Sequence, residues 1–262
     1  MKGQAYFNWI FVIVIGAIAL AFFVGFAFQY KELQEKKTEI IFLNSLDTSF
    51  TNLQSSSFST STNLKLPLDF SVRCDNSSFS IFVNEKHDVD YIIASKNNIK
   101  NNLFIWYKPY ANPFFVTNIY YFIDTEGIDI VTSSQNVREL VDEMPENFKS
   151  KINFDSSDGR RVDVVNDKLI INGVSYDYLG DELIYAAILS DNYPCLADHF
   201  KTKLNDAVVT YTIKSNILRR SGCNYNLILS EMNKLNGFDS SAIDRIENLN
   251  RDLINKNCPS LY

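Results

Sequence analysis

Four cysteines and two histidines are the side chains best suited to nucleophilic or metal chemistry in this chain of 262 residues. They are Cys74, Cys195, Cys223 and Cys258, with His87 and His199. No two cysteines form a CxxC pair, so a zinc site would have to be assembled from scattered ligands. Cys195 and His199 stand at i and i+4, a spacing at which thiol and imidazole can meet on one helix face. An even number of widely spaced cysteines also fits two disulfides made in an oxidising compartment, and that is the use we expect. His87 lies in the polar run Asn84-Glu85-Lys86-His87-Asp88, which reads as a solvated turn. Paired carboxylates such as Asp124 and Asp129 could serve as general acid and base. With 31 acids in the chain, such pairs select nothing. Asp155-Ser156-Ser157-Asp158-Gly159 is rich in oxygen but lacks the spacing and final glutamate of a calcium loop, and reads as a polar turn. The glycines beyond the first thirty residues are Gly127, Gly159, Gly173, Gly180, Gly222 and Gly237. They are too far apart for GxGxxG, a P-loop or a nucleophile elbow. We therefore expect no catalytic site, no cofactor and no metal.

The densest unusual feature is aromatic, over residues 104–115 and 120–122. Trp106, Tyr107, Tyr110 and Phe114, set around Pro109 and Pro113, are candidates for an interaction surface toward a partner, a glycan or lipid headgroups. The competing use is burial, since strand alternation would turn half of these rings into a core.

The elements that must hold these residues begin with an anchor. Basic residues number 25 and the net charge is −6, an acidic balance that disfavours nucleic acid as a partner. The mean hydropathy of −0.11 excludes a polytopic membrane protein, and only nine glycines exclude a collagen-like chain. That average hides a division, because residues 3–30 carry no charge at all. Residues 9–28 have no polar side chain, and a helix of that length covers ~30 Å, the thickness of a bilayer core. Trp9 and Tyr30 flank it, where amphipathic rings favour the interface. The run is too long for an ordinary signal peptide and no small-x-small cleavage pattern precedes Lys31, so we read a retained anchor with membrane lipid as its partner. Ala17, Ala21 and Gly25 recur every four residues, a face through which two membrane helices can approach, by self-association or with an envelope protein.

Orientation draws on two signals. Lys31, Lys36 and Lys37 after the span outnumber Lys2 before it, which favours a cytoplasmic C-terminal side. The cysteines, the sequon Asn76-Ser77-Ser78 and the Ser/Thr-rich residues 55–62 favour the outside, and we expect an extracytoplasmic head.

Lys2-Gly3-Gln4 followed by an apolar helix resembles the class III signal of archaeal pilins and archaellins. That resemblance implies cleavage after Gly3, leaving Gln4 first; Asn8 stands where the family carries a glutamate. In general look the chain is similar to uncharacterised archaeal single-span membrane proteins, a likeness that implies no activity.

Beyond the anchor, Leu33, Ile40, Leu43, Leu46, Phe50 and Leu53 form an apolar stripe that predicts an amphipathic stalk helix docked on the chain's own head. Pilins share that plan. Strands are expected at 68–74, 79–83, 91–94, 103–107, 115–123 and 128–132. A helix at 135–143 ends before Pro145. Short strands follow near 151–154, 161–165 and 168–171, the last two joined by a turn at Asn166-Asp167. Gly180-Asp181-Glu182 opens a helix to Leu189. Helices at 197–220, 225–235 and 240–255 complete the chain. The first would be ~33 Å long and would hold Cys195 and Cys223 at opposite ends, beyond the ~7 Å a disulfide allows. The next two run back and forth and return Cys258 to Cys223, so we expect Cys223–Cys258 and Cys74–Cys195. The fold class is an α/β or α+β extracytoplasmic head with a helical C-terminal part, on one N-terminal transmembrane helix. The divisions are an anchor at 1–30, a stalk and Ser/Thr-rich connector at 31–63, a head at 64–192 and a helical part at 193–262. The expected function is structural or binding, in the cell envelope. The alternatives are a pilin-like filament or assembly subunit, and an envelope hydrolase using dispersed carboxylates.

Overall fold

Nothing between Gly25 and Pro67 is a strong helix breaker, and a single helix, α1 (Gly3–Ser55), runs for 53 residues. The structure is a computed structural model that describes residues 3–55, 60–65, 68–75, 78–100, 102–154, 156–219 and 222–262; within α1 it describes the side chains of Trp9 and of residue 12 onward. The sequon residues Asn76 and Ser77, part of the Ser/Thr run and Asp155 lie outside them. The chain divides into two compact units, Met1–Asp47 and Thr48–Tyr262.

The first unit is helical. Its apolar stretch reaches a mean hydropathy of 2.4 over 18 residues with none of that window buried, so the helix is long and apolar enough to cross a membrane. Polar spacing takes over after Tyr30, where Lys31–Glu35 and Lys36–Glu32 pair one turn apart. Leu33 and Ile40 are exposed, which corrects the upper part of the expected stripe.

The second unit is an α+β head that keeps the last turns of α1 as part of its core. Its elements follow in order as β1 (Thr60–Lys65), β2 (Phe70–Cys74), β3 (Phe79–Phe82), β4 (Lys86–Val89), β5 (Ile92–Ala94), β6 (Asn98–Ile99), β7 (Asn102–Tyr110), β8 (Thr117–Asp124), β9 (Ile128–Val131), α2 (Gln135–Glu143), α3 (Glu146–Lys149), β10 (Ile152–Asn153), β11 (Arg160–Val165), β12 (Lys168–Ile171), β13 (Val174–Tyr176), α4 (Gly180–Leu189), α5 (Tyr193–Leu218), α6 (Asn226–Lys234) and α7 (Ser241–Asn255). They form three sheets, ordered β1-β7-β8-β5, β10-β9-β11-β12-β13 and β4-β3-β2-β6.

The first sheet is the centre. β7 and β8 are antiparallel, with Leu103 opposite Asp124 and Tyr110 opposite Thr117. One face carries Tyr120 and Phe122, whose rings lie 4.4 and 6.0 Å from Phe50 at the end of α1. The other face carries Trp106 and Tyr121, packed against Tyr185 of α4 at 4.9 and 6.1 Å. A sheet covered on both faces buries consecutive residues rather than alternate ones. That is why Tyr120, Tyr121, Phe122 and Ile123 are all buried in a row.

The second sheet mixes parallel pairs, β10 with β9 and β9 with β11, with an antiparallel meander through β12 and β13. Asn166 and Asp167 both take positive φ in the β11–β12 turn, the backbone that a tight two-residue hairpin demands. Gly159 lets β11 approach β9, since a Cβ there would stand 2.7 Å from the backbone of Asp129. At the head of α2, the carboxylate of Asp163 accepts hydrogen bonds from Ser133 N (2.6 Å), Ser133 Oγ (3.0 Å), Thr132 Oγ1 (3.1 Å), Ser134 N (3.2 Å) and Arg161 Nε (3.0 Å). Burial pushes this carboxyl up, but the bonds from Arg161, Ser133 and Thr132 outweigh it and hold the pKa at about 2. The folded value lies below the ordinary value of 3.8, so this stabilisation is present above pH ~4 and is lost as pH falls toward 2. Asp163→Asn should cost about 2 kcal/mol at neutral pH, with the gap to wild type closing below pH 4. Urea titrations at pH 7 and pH 3 read both effects.

The helical part begins where Pro194 occupies the first turn of α5, a position that tolerates its missing N–H. α5 buries Leu196, Phe200, Leu204 and Val208. Phe200 meets Tyr110 at 4.8 Å, and Tyr211 meets Phe114 at 4.9 Å, so the β7–β8 end of the central sheet is capped by α5. The chain finishes by tucking Leu261 into the interior, its N–H donated to Asn250 Oδ1 at 2.9 Å.

Candidate functional site

The structure joins Cys74 to Cys195 and Cys223 to Cys258, with Cα separations of 6.0 and 5.8 Å, the pairings that the helix-length reasoning requires. The first bridge ties the end of β2 to the first turn of α5; the second closes the helical part. A thiolate–imidazole pair from Cys195 and His199 is thereby removed. His199 packs edge-on against Phe79 at 5.4 Å, and burial, then Lys203, hold its pKa below the usual imidazole value against an opposing pull from Asp90. His87, read as part of a turn, is in β4 opposite Ile81.

The acids are placed as structural groups. Asp124 is buried at the end of β8, where it accepts from the backbone N–H of Glu126 (3.1 Å) and Lys100 (3.4 Å) and stands 3.6 Å from Lys96 Nζ. Asp129 accepts from Asn153 at 2.9 Å. A hollow of about 230 Å³ between β13 and α5 holds Asp177 and Asp198 with Tyr176 and Lys201. Asp177 is occupied by an ion pair with Lys168. The carboxyls of Asp163, Glu231 and Asp239 are held below their ordinary values by hydrogen bonds, opposite to what a general acid at neutral pH needs. Among the described residues no three His, Cys, Asp or Glu side chains converge as metal ligands would.

The aromatic candidates are corrected. Trp106, Tyr107, Tyr110 and Phe114 are all buried: α3, α4 and α5 cover Trp106, Tyr110 and Phe114, while Tyr107 lies on the opposite face against Tyr120, which packs on Phe50. Only Phe115 of that run stands out into solvent, half exposed. Ala17, Ala21 and Gly25 lie on exposed helix surface, and a Cβ added at Gly25 would meet nothing within 4 Å.

Two further surfaces stand out among the described residues of the head. The first is an aliphatic ridge on α5, Val209, Ile213 and Ile217, exposed by 50%, 59% and 62%. Their spacing of four residues places them on one stripe, next to the buried stripe of Leu204 and Val208. That stripe was legible in the sequence as a second aliphatic period of four, overshadowed by the larger residues at 200, 204, 208 and 211.

The second is a shallow cleft of about 440 Å³ on the outer face of the β4-β3-β2-β6 sheet. Register builds it. Ser71 of β2 stands opposite Phe82 of β3 and opposite Asn98 of β6, and Arg73 is two residues along from Ser71. Arg73 and Asn98 therefore share a face with Ser71 and Phe82. Asp69 and Lys100, each two residues from a member of that row, line the end of the cleft away from Arg73, where the antiparallel register sets them opposite each other. The guanidinium of Arg73 lies 4.4 Å from the centre of the Phe82 ring. No spacing in the sequence announces this group, since three strands contribute to it and only pairing brings them together.

No family model matches the chain, and comparison with curated proteins and with solved structures finds no similar protein.

Proposed function

We propose that the chain is a membrane-anchored cell-envelope protein with a structural or binding role, its head held outside the cytoplasm. The observation that carries this reading is the combination of one long, unburied apolar helix with a head whose four cysteines are all in disulfides. A stretch of mean hydropathy 2.4 left open to water would aggregate, whereas lipid satisfies it. Disulfides persist in oxidising compartments and are reduced in most cytosols. Asp163 holds the backbone at the start of α2, and Asp124 and Tyr121 are buried with hydrogen-bond partners, uses that support a structural role for these groups. Surfaces open to partners include the small-residue face Ala17, Ala21 and Gly25 in the anchor and the Val209–Ile213–Ile217 ridge in the head.

A second reading, a pilin-like subunit, is favoured by one feature: α1 is unbroken from Gly3 to Ser55 and its last turns supply Phe50 and Leu53 to the head's core. One preparation tests both readings. Membranes washed in alkaline carbonate should retain the full chain, and release into the wash would contradict anchoring. Intact mass of the retained chain should begin at Met1 for the first reading and at Gln4 for the second.

A further inference from the structure

The face of the β4-β3-β2-β6 sheet holds an arginine with no carboxylate to meet. Arg73 forms no ion pair among the described residues; its contact is the Phe82 ring. That contact holds the guanidinium over the ring and leaves its N–H groups without a carboxylate among the described residues. Cys74, the next residue, is bonded to Cys195, so the strand that presents Arg73 is fixed at that end. Lys100, paired at 3.7 Å with the exposed Glu126, adds a second cation at the far end of the cleft. Ser71 and Asn98, opposite each other in register, supply neutral donors and acceptors between the two charges. Asp69, at the same edge, is an acceptor for hydroxyl groups and repels dense negative charge.

We propose that this cleft binds a carboxylate-bearing saccharide. The carboxylate takes the two-pronged donor edge of Arg73, the geometry in which guanidinium and carboxylate match best. Hydroxyls on the same ring exchange hydrogen bonds with Ser71, Asn98 and Asp69. One isolated carboxylate among hydroxyls fits a cleft with one guanidinium unpaired among the described residues, Arg73, in which Lys100 is already shared with Glu126; a polyphosphate or nucleic acid fits it less well, because Asp69 would face it. The volume of about 440 Å³ is that of a small-ligand site open on one side. The site goes beyond the anchoring proposed above, and neither depends on the other.

Calorimetric titration of the detergent-solubilised full chain with galactose oligomers that carry a single galacturonate tests the proposal, with neutral galactose oligomers and inorganic phosphate as comparison ligands. The acidic oligomer should bind, and both comparison ligands should bind at least about tenfold more weakly, the loss expected when a charge-assisted bidentate contact is missing. Arg73→Gln should weaken the acidic oligomer about tenfold or more. Arg73→Lys, which keeps the charge and loses the fork, should also weaken it several-fold. Lys168→Met, which removes a cation from a different sheet, should change nothing. Arg73 is exposed, so unchanged thermal unfolding of each variant checks that the fold is intact. Equal affinity of wild type and Arg73→Gln, equal or tighter binding of phosphate, or no binding of the acidic oligomer would overturn the proposal.

Discussion

Replacing Cys74 and Cys195 together by serine should lower the stability of the head by about 5 kcal/mol, the largest single effect we expect from disulfide chemistry. The reason lies in the unfolded chain. This bridge spans 121 positions of sequence, against 35 for Cys223–Cys258. Cross-linking distant residues removes more loop-closure entropy from the unfolded ensemble, with an expected value of about 4 kcal/mol for the shorter loop. The two bridges also act on different parts. Cys74–Cys195 joins β2 to α5, elements that no short connection links, whereas Cys223 and Cys258 close helices already packed as neighbours. Denaturant unfolding of the full chain in detergent, with and without reductant, reads both losses. A Cys74/Cys195 double variant as stable as wild type would show that packing alone holds β2 to α5.

Trp106→Ala should cost about 3–5 kcal/mol, the range for deleting a large buried aromatic side chain. Trp106 is 3% exposed and touches three rings, Tyr121 at 4.7 Å, Tyr185 at 4.9 Å and Phe148 at 5.8 Å. Those rings come from β8, α4 and α3, so the indole is where the second face of the central sheet meets its helices. The same substitution separates the two uses weighed for the aromatic run. A partner-facing tryptophan replaced by alanine changes binding and leaves folding within about 0.5 kcal/mol. A core tryptophan lowers the unfolding midpoint without touching an exposed surface. Thermal and urea unfolding of the full-length variant should show the second pattern.

Much of the fold was legible before any coordinates. Helices at 135–143 and 180–189 have the observed bounds because Pro145, Gly180 and the acids after it are local signals with local causes. The Asn166-Asp167 turn follows from the same local chemistry. The cysteine pairing was accessible because one long helix keeps Cys195 from Cys223 and the two helices after it carry Cys258 back to Cys223. Other features depend on partners distant in sequence. Residues 60–62 read as the end of a solvated Ser/Thr connector, yet they open β1 (Thr60–Lys65), an edge strand whose residues alternate between partial and full exposure. Only its register against β7, with Thr60 opposite Tyr107 and Lys65 opposite Asn102, makes it a strand. β4, around His87, was hidden for the same reason. The aromatic run misled because period-two reasoning assumes one open face, and this sheet has none. Within the candidate cleft, Arg73, Phe82 and Asn98 belong to three strands, so no window of sequence contains the site.

The anchored, extracytoplasmic head is the central claim, and protease treatment of intact cells tests it most directly. Full-length protein is digested from outside, and the products are run on gels with and without reductant. The account predicts that the head is cut in intact cells and that undigested protein migrates faster without reductant, its two disulfides keeping it compact. A head protected until the membrane is broken, with identical migration on both gels, would contradict it.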